Sequence, residues 1–103
     1  MTIDAMRAYE RRFEEVLALL DDASDGDGDI EELNANLEDA LFVIHCIEDR
    51  DGEDEARQAF ADALDEIEEL AQAYAALPEG VPEDVCARLK ACAEAARREM
   101  EGV

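Results

Sequence analysis

An acidic stretch early in the chain has the residue types of a calcium site. Residues 21–33, DDASDGDGDIEEL, hold seven carboxylates. An EF-hand loop needs oxygen ligands at its first, third and fifth positions, glycine at the sixth and glutamate at the twelfth. With Gly28 in sixth place, Ala23 stands first and Asn34 last. With Gly26 in sixth place, Ala23 stands third. Because every register lacks a ligand, the stretch predicts a flexible acidic turn with at most weak calcium affinity.

One histidine and three cysteines are the side chains that could bind zinc. They are His45, Cys46, Cys86 and Cys92, and no CxxC pair is among them. Cys86 and Cys92 are six residues apart, so on a helix they project about 120° from each other. Cysteine at helical core spacing is typical of a small buried hydrophobic residue. The pattern predicts reduced thiols and no metal site.

Side chains suited to acid–base or nucleophilic catalysis occur, but no spacing joins them into a site. His45 and Cys46 would point about 100° apart on a helix, a poor geometry for a nucleophile and its base. The chain contains no glycine-rich phosphate loop, no GxSxG and no HExxH. We therefore expect no enzyme activity and no cofactor. His45 is expected at a helix edge, near Glu48 or Asp49.

Four segments carry apolar residues at intervals of three and four, which is the period of one helix face. The stripes are Met6, Tyr9, Phe13, Val16 and Leu20; Ile30, Leu33, Leu37, Leu41 and Ile44; Phe60, Ala63, Ile67, Leu70, Tyr74 and Leu77; and Val85, Leu89, Cys92, Ala96 and Met100. The connections at 21–29, 50–53 and 78–81 are short, so successive helices should be antiparallel. The sequence predicts an all-α, up-down antiparallel four-helix bundle, with residues 1–103 forming a single domain.

Several residues mark the expected ends of these helices. Thr2 is a suitable N-cap for the first helix. Pro78 should end the third, because proline cannot continue a helix. Pro82 fits the first turn of the fourth helix, and Gly102 fits its exit.

The second helix has apolar residues on more than one face. Leu37 and Ile44 lie on the main stripe, whereas Phe42 and Cys46 lie nearly opposite, with Val43 close to them. One core cannot cover both faces, so either neighbouring helices wrap this end or the second face meets a partner. Wrapping is the slightly favoured interpretation. The largest core side chains are then expected to be the three phenylalanines, Phe13, Phe42 and Phe60.

The negative charge is distributed unevenly along the chain. Of the net charge of −21, residues 21–79 contribute −19, and residues 1–20 and 80–103 contribute −1 each. In an up-down bundle the second and third helices are neighbours, and so are the first and fourth. We therefore expect one intensely negative side and one nearly neutral side.

Three explanations for this charge are open. A salt-rich cytoplasm favours acidic proteins with little lysine, but such an adaptation should affect all exposed helices. Solubility alone needs a net charge of about 8 at most. Complementarity to a strongly basic surface explains both the amount and the segregation. Since basic protein surfaces commonly hold nucleic acid, carboxylate rows on adjacent helices could occupy such a surface in place of phosphates.

Complementarity leads to the functional hypothesis, an inhibitor or regulator of a basic nucleic-acid-binding protein or complex. The chain is similar, in charge, size and helicity only, to DNA-mimic inhibitors of restriction or CRISPR complexes from phages and mobile elements. It is also similar in kind to acidic immunity proteins that block nuclease toxins. The predicted partner-binding residues are Asp62, Asp65, Glu66 and Glu69, then Glu31, Glu32, Glu38 and Asp39, with Phe42 and Val43 as an apolar anchor.

The alternative hypothesis is a structural or assembly module from a high-salt organism, with a homodimer through Phe42, Val43 and Cys46 as one form of it. Direct binding to nucleic acid or to a membrane is not expected, because both are negatively charged. No signal-peptide pattern occurs in Met1 to Tyr9, and the apolar run Ala40 to Ile47 is far shorter than the roughly 20 residues that span a bilayer. These features favour a cytoplasmic protein.

Overall fold

The structure is a computed structural model that describes residues 2–24, 28–49, 52–77 and 81–102. Four α-helices are formed: α1 (Ile3–Ser24), α2 (Gly28–His45), α3 (Glu53–Ala76) and α4 (Glu83–Met100). A short 3₁₀ helix, Cys46–Asp49, continues from the end of α2. No strand occurs in the described ranges, so the predicted all-α class is confirmed.

The helices form an up-down bundle, as predicted. Each helix packs on the next one along the chain, and α4 packs on α1 to close the ring. The bundle measures 41 × 26 × 18 Å. This arrangement makes α2 and α3 neighbours, with α1 and α4 on the other side.

The apolar stripes meet in one continuous core. Its largest fully buried side chains are Tyr74, Phe13, Phe60, Met6, Leu20, Ile30, Leu37, Ile44, Ile47, Leu64, Ile67 and Leu89. Leu33, Leu77, Cys92 and Met100 are partly buried against this core. Tyr9 and Tyr74 are both buried, in agreement with their helical spacing. Phe42 is the exception among the phenylalanines, because its ring lies outside the core.

The helix ends follow the predicted signals closely. The Oγ1 of Thr2 accepts a hydrogen bond of 3.2 Å from the backbone N–H of Ala5, so Thr2 caps α1. Pro82 lies immediately before Glu83, the first helical residue of α4, one position earlier than expected. Gly102 has a φ of +78°, a conformation that glycine adopts without steric cost. Pro78, expected to end α3, lies outside the described residues.

The prediction of a flexible acidic turn over residues 21–29 is wrong at both ends, which are helical. Asp21 and Asp22 belong to the last turn of α1, and Asp29 belongs to the first turn of α2. Helical backbone hydrogen bonds continue through these residues, and the Asp21 carboxylate also accepts a hydrogen bond from Asn34. Asp25, Gly26 and Asp27 lie outside the described residues.

A network of side-chain hydrogen bonds, buried at Tyr74 and Asn34, links three helices at this end of the bundle. The Tyr74 hydroxyl of α3 donates a 2.6 Å hydrogen bond to Oδ1 of Asn34 in α2. The Nδ2 of Asn34 donates in turn to Oδ1 of Asp21 in α1, at 2.9 Å. Tyr74 is 1% exposed and Asn34 4%. An unpaired polar group at this depth would lose its hydration without compensation, so the buried side chains must stay paired. The network therefore fixes how α1, α2 and α3 align.

We expect Tyr74→Phe to lower the free energy of unfolding by about 1–3 kcal/mol, because it leaves Oδ1 of Asn34 buried without its donor. Urea unfolding of both proteins measures the change. Combining Tyr74→Phe with Asn34→Leu removes both polar partners and should recover much of the loss. A double variant less stable than Tyr74→Phe would show that the network is not the cause.

The same tyrosine should make the bundle sensitive to alkali. Burial, with a further contribution from the charges of Asp21 and Cys86, raises the pKa of Tyr74 above its ordinary value of 10.0. The unfolded chain then releases this proton at lower pH than the native chain. The stabilisation is therefore present below about pH 10 and is lost as pH rises further, by up to about 1.4 kcal/mol per pH unit.

Urea unfolding at about pH 8 and about pH 11 measures this alkaline loss. Tyr74→Phe should lose less stability between the two pH values than the unmodified chain does. An equal loss in both proteins would assign the effect to other groups, such as Cys86 and Cys92, whose pKa values burial also raises above 9.0.

Candidate functional site

The two sides of the bundle differ strongly in charge. Residues 28–49 and 53–76, which form α2, the 3₁₀ helix and α3, hold fifteen acidic residues and one arginine, a net charge of −14. Helices α1 and α4 hold ten acidic and seven basic residues, a net charge of −3. The neighbouring packing of α2 and α3 therefore concentrates the negative charge on one side of the molecule, here named the acidic side.

The acidic row predicted on α3 lies on the surface. Its members are all exposed: Asp62, Asp65, Glu66 and Glu69. Asp62 and Glu66 are four residues apart, as are Asp65 and Glu69, so the four side chains share one face of the helix. The Nε2 of Gln58 donates to the Asp62 carboxylate at 3.2 Å. The row therefore presents closely spaced carboxylates to solvent along the middle of α3.

Asp65 differs from the other members of this row because it is bound by an arginine of α4. The Arg97 guanidinium donates to both Asp65 and Glu68, the latter at 3.1 Å. This contact ties α4 to α3 and offsets part of the charge along that edge. Asp62, Glu66 and Glu69 are consequently the better representatives of the row.

The four acidic residues predicted on α2 are all exposed, but they do not form a single row. Adjacent residues on a helix are about 100° apart, so Glu38 and Asp39 point in different directions, as do Glu31 and Glu32. Glu38 turns towards α1, where it lines a groove between the two helices. Asp39 is not among the residues that line this groove. The α2 carboxylates thus widen the acidic side instead of extending one line.

Phe42 is 65% exposed, so the expectation that it belongs to the core is wrong. Neighbouring helices do not wrap it either. Leu41 and Ile44 take the core positions of this turn, and Phe42 is about 100° from Leu41 around the helix. Val43 is half-buried and packs against the core, so of the two predicted anchor residues only Phe42 presents a large apolar surface.

The exposed ring of Phe42 stands beside a groove between α1 and α2. The groove has a volume of about 220 Å³ and is lined by Glu14, Leu17, Glu38, Leu41, Phe42 and His45. The rings of Phe42 and His45 are stacked, with centroids 6.5 Å apart and planes inclined by 28°. Glu14 was not among the predicted site residues, because only the packing of α1 on α2 brings it to Glu38 and Phe42.

A buried carboxylate lies at the same interface. Glu10 of α1 is 6% exposed; its Oε1 is 3.3 Å from Nδ1 of His45, and its Oε2 is buried without a hydrogen-bond partner. No role for Glu10 was predicted from the sequence. His45 was expected near Glu48 or Asp49, whose side chains are not among those that the structure describes. The spacing of Glu10 could have predicted its burial. Glu10 is four residues after Met6 and three before Phe13, so it lies on the same face of α1 as these two core residues.

Two of the three cysteines, Cys86 and Cys92, have the properties of unreactive thiols. Burial raises the pKa of Cys86 above its usual value, with help from the Glu83 charge, and burial also raises that of Cys92. A raised pKa lowers the thiolate fraction, which is the form that attacks electrophiles and binds metals. Among the described residues, no group of three or more His, Cys, Asp or Glu side chains is arranged to hold a metal ion.

A second groove, of about 420 Å³, lies between α3 and α4. Its floor contains Ala71 and Ala93, and both acidic and basic side chains line it, including Glu94, Lys90 and Arg98. Because its lining carries both charges, this groove does not favour a ligand of one charge, whereas the acidic side favours a cationic one.

Comparison with known proteins yields no match to a family model, a curated protein or a solved structure. Within the described ranges, no helix combines the length and the apolar character needed to cross a bilayer. The charge of the acidic side and the geometry of the groove beside Phe42 are therefore the features that bear on function.

The exposure of Phe42 predicts how two phenylalanines differ in their contribution to stability. Phe42→Ala should change the free energy of unfolding by less than about 0.5 kcal/mol, since the ring leaves little cavity behind. Phe60→Ala should cost about 3–5 kcal/mol, because Phe60 is fully buried. Thermal or urea unfolding measures both variants. Comparable losses in the two variants would contradict this placement of Phe42.

Proposed function

We propose that this chain inhibits or regulates a nucleic-acid-binding protein by occupying its basic surface in place of nucleic acid. One observation carries the proposal: the net charge of −14 on α2, the 3₁₀ helix and α3, against −3 on α1 and α4. The partner would be a nuclease, a restriction enzyme, a CRISPR complex or another protein whose basic groove normally holds a phosphate backbone.

The linear charge density of the acidic side supports mimicry of phosphates. Helix α3 has 24 residues and is therefore about 36 Å long. Fourteen net negative charges over that length correspond to one charge per about 2.6 Å. A nucleic-acid strand carries one per about 3.4 Å, and a duplex one per about 1.7 Å of axis. The acidic side falls between these two values.

The cost of the arrangement is a second argument for a binding role. Like charges at helical spacing destabilise a helix by a few tenths of a kcal/mol per pair, and salt screens them only beyond about 8 Å. A few lysines on α2 and α3 would relieve this repulsion, yet the single lysine, Lys90, is on α4. A basic partner would turn the same repulsion into attraction.

We expect the α3 row to dominate binding. The triple variant Asp62→Asn, Glu66→Gln, Glu69→Gln should weaken capture of basic nucleic-acid-binding proteins at least about tenfold at physiological salt and reduce its dependence on salt. The matched control is Glu15→Gln, Glu94→Gln, Glu101→Gln, which makes the same charge change at exposed positions outside α2 and α3. It should weaken capture about twofold or less.

The measurement uses the immobilised chain, nuclease-treated lysate of the source cells and elution with duplex DNA at constant ionic strength. DNA should release the captured proteins, since both ligands would compete for one surface. The proposal is contradicted if neither DNA nor added salt releases the captured proteins. It is also contradicted if the two triple variants weaken capture equally. Thermal melting in low and high KCl is the second control: an assembly module adapted to brine would unfold at low KCl, whereas a mimic stays folded there.

A further inference from the structure

We infer that the groove between α1 and α2, lined by Glu14, Leu17, Glu38, Leu41, Phe42 and His45, is a binding site for an arginine side chain. The inference rests on the proposed function and deepens it, because the arginine would come from the basic surface of the partner. It assigns to this groove a recognition role that bulk negative charge cannot supply.

The apolar part of the groove fits the body of an arginine side chain. Leu17 of α1 and Leu41 of α2 line it, and Phe42 stands beside them with most of its ring in solvent. Phe42 is the most exposed of the large apolar side chains in the described ranges; the next, Leu19, is 36% exposed. Methylene groups bury well against leucines, and a guanidinium plane stacks on an aromatic face.

The charged part of the groove fits the guanidinium group. Glu14 and Glu38 come from different helices and are both exposed at the groove. The Glu10 carboxylate lies one turn before Glu14 on α1, and its buried Oε2 has no hydrogen-bond partner. A cation placed between Glu14 and Glu38 would be attracted from both sides of the groove.

Arginine fits this combination better than lysine does. A guanidinium can stack flat on an aromatic ring and still donate sideways to carboxylates, whereas an ammonium acts as a compact point charge. The chain itself makes both kinds of contact: the guanidinium carbon of Arg12 lies 5.1 Å from the ring centroid of Tyr9, and Arg97 donates to two carboxylates of α3. The groove offers ring and carboxylates together.

A second copy of the chain is a poorer occupant of this groove. Two copies brought together through Phe42 would place Glu14 and Glu38 of one molecule near the same residues of the other. Like charges facing each other are destabilising, and each chain already has a net charge of −21. Charge complementarity therefore selects a basic partner over self-association.

Short blocked peptides of arginine and of lysine, equal in length and charge, test the inference without a known partner. The unmodified chain should bind the arginine peptide about three- to tenfold more tightly, because only arginine gains the stacking contact in full. Phe42→Ala should remove most of this preference while changing the affinity for the lysine peptide less than about twofold. Calorimetry gives the affinities, and NMR shift mapping should place the arginine-specific changes at α1 and α2.

Leu19→Ala is the matched control, since it removes the other exposed large apolar side chain at a position outside the groove. It should keep the arginine preference. A preference that survives Phe42→Ala, or a dimer by light scattering that Phe42→Ala dissociates, overturns the inference. The two proposals can fail separately. Failure of DNA-competed capture rejects the mimicry function, whereas the α3 triple variant should keep the arginine preference, because none of its three substitutions lies in the groove.

Discussion

The carboxylates of α2 and α3 repel one another, and the bundle holds them side by side only because its apolar core outweighs that repulsion. The core is formed by stripes from all four helices, with Phe13, Phe60 and Tyr74 among its largest members. Burial of such side chains contributes about 1.5–3 kcal/mol each. This core places the charge on one side, since α2 and α3 pack as neighbours whatever their surfaces carry.

Polar contacts then refine what apolar packing leaves open. The chain from Tyr74 through Asn34 to Asp21 connects α3, α2 and α1 at one end, and Arg97 joins α4 to α3. At the other end of the α1–α2 interface, Glu10 and His45 pair. Each contact relates the axial positions of two helices, so the exposed groups of those helices keep a defined spacing.

The acidic side and the groove beside Phe42 have complementary roles in the proposed function. A broad negative surface attracts any basic protein and speeds the encounter, but it distinguishes partners weakly. In the proposed interaction, an aromatic ring beside an apolar groove with carboxylates on both sides would favour an arginine side chain over a lysine side chain. Hot spots at interfaces commonly combine such a desolvated contact with surrounding charge.

Residue types and a period of about 3.6 residues are enough to predict the helical class, the four stripes, the Thr2 cap and the unequal charge. The surroundings of Phe42, Glu10 and Glu14 depend instead on how the helices pack. Which flank of a helix is covered depends on where its neighbours lie, so Phe42 could be read as core and Glu14 as an ordinary surface residue. The α1–α2 groove is formed by residues of both helices, so the local sequence of either helix does not predict it.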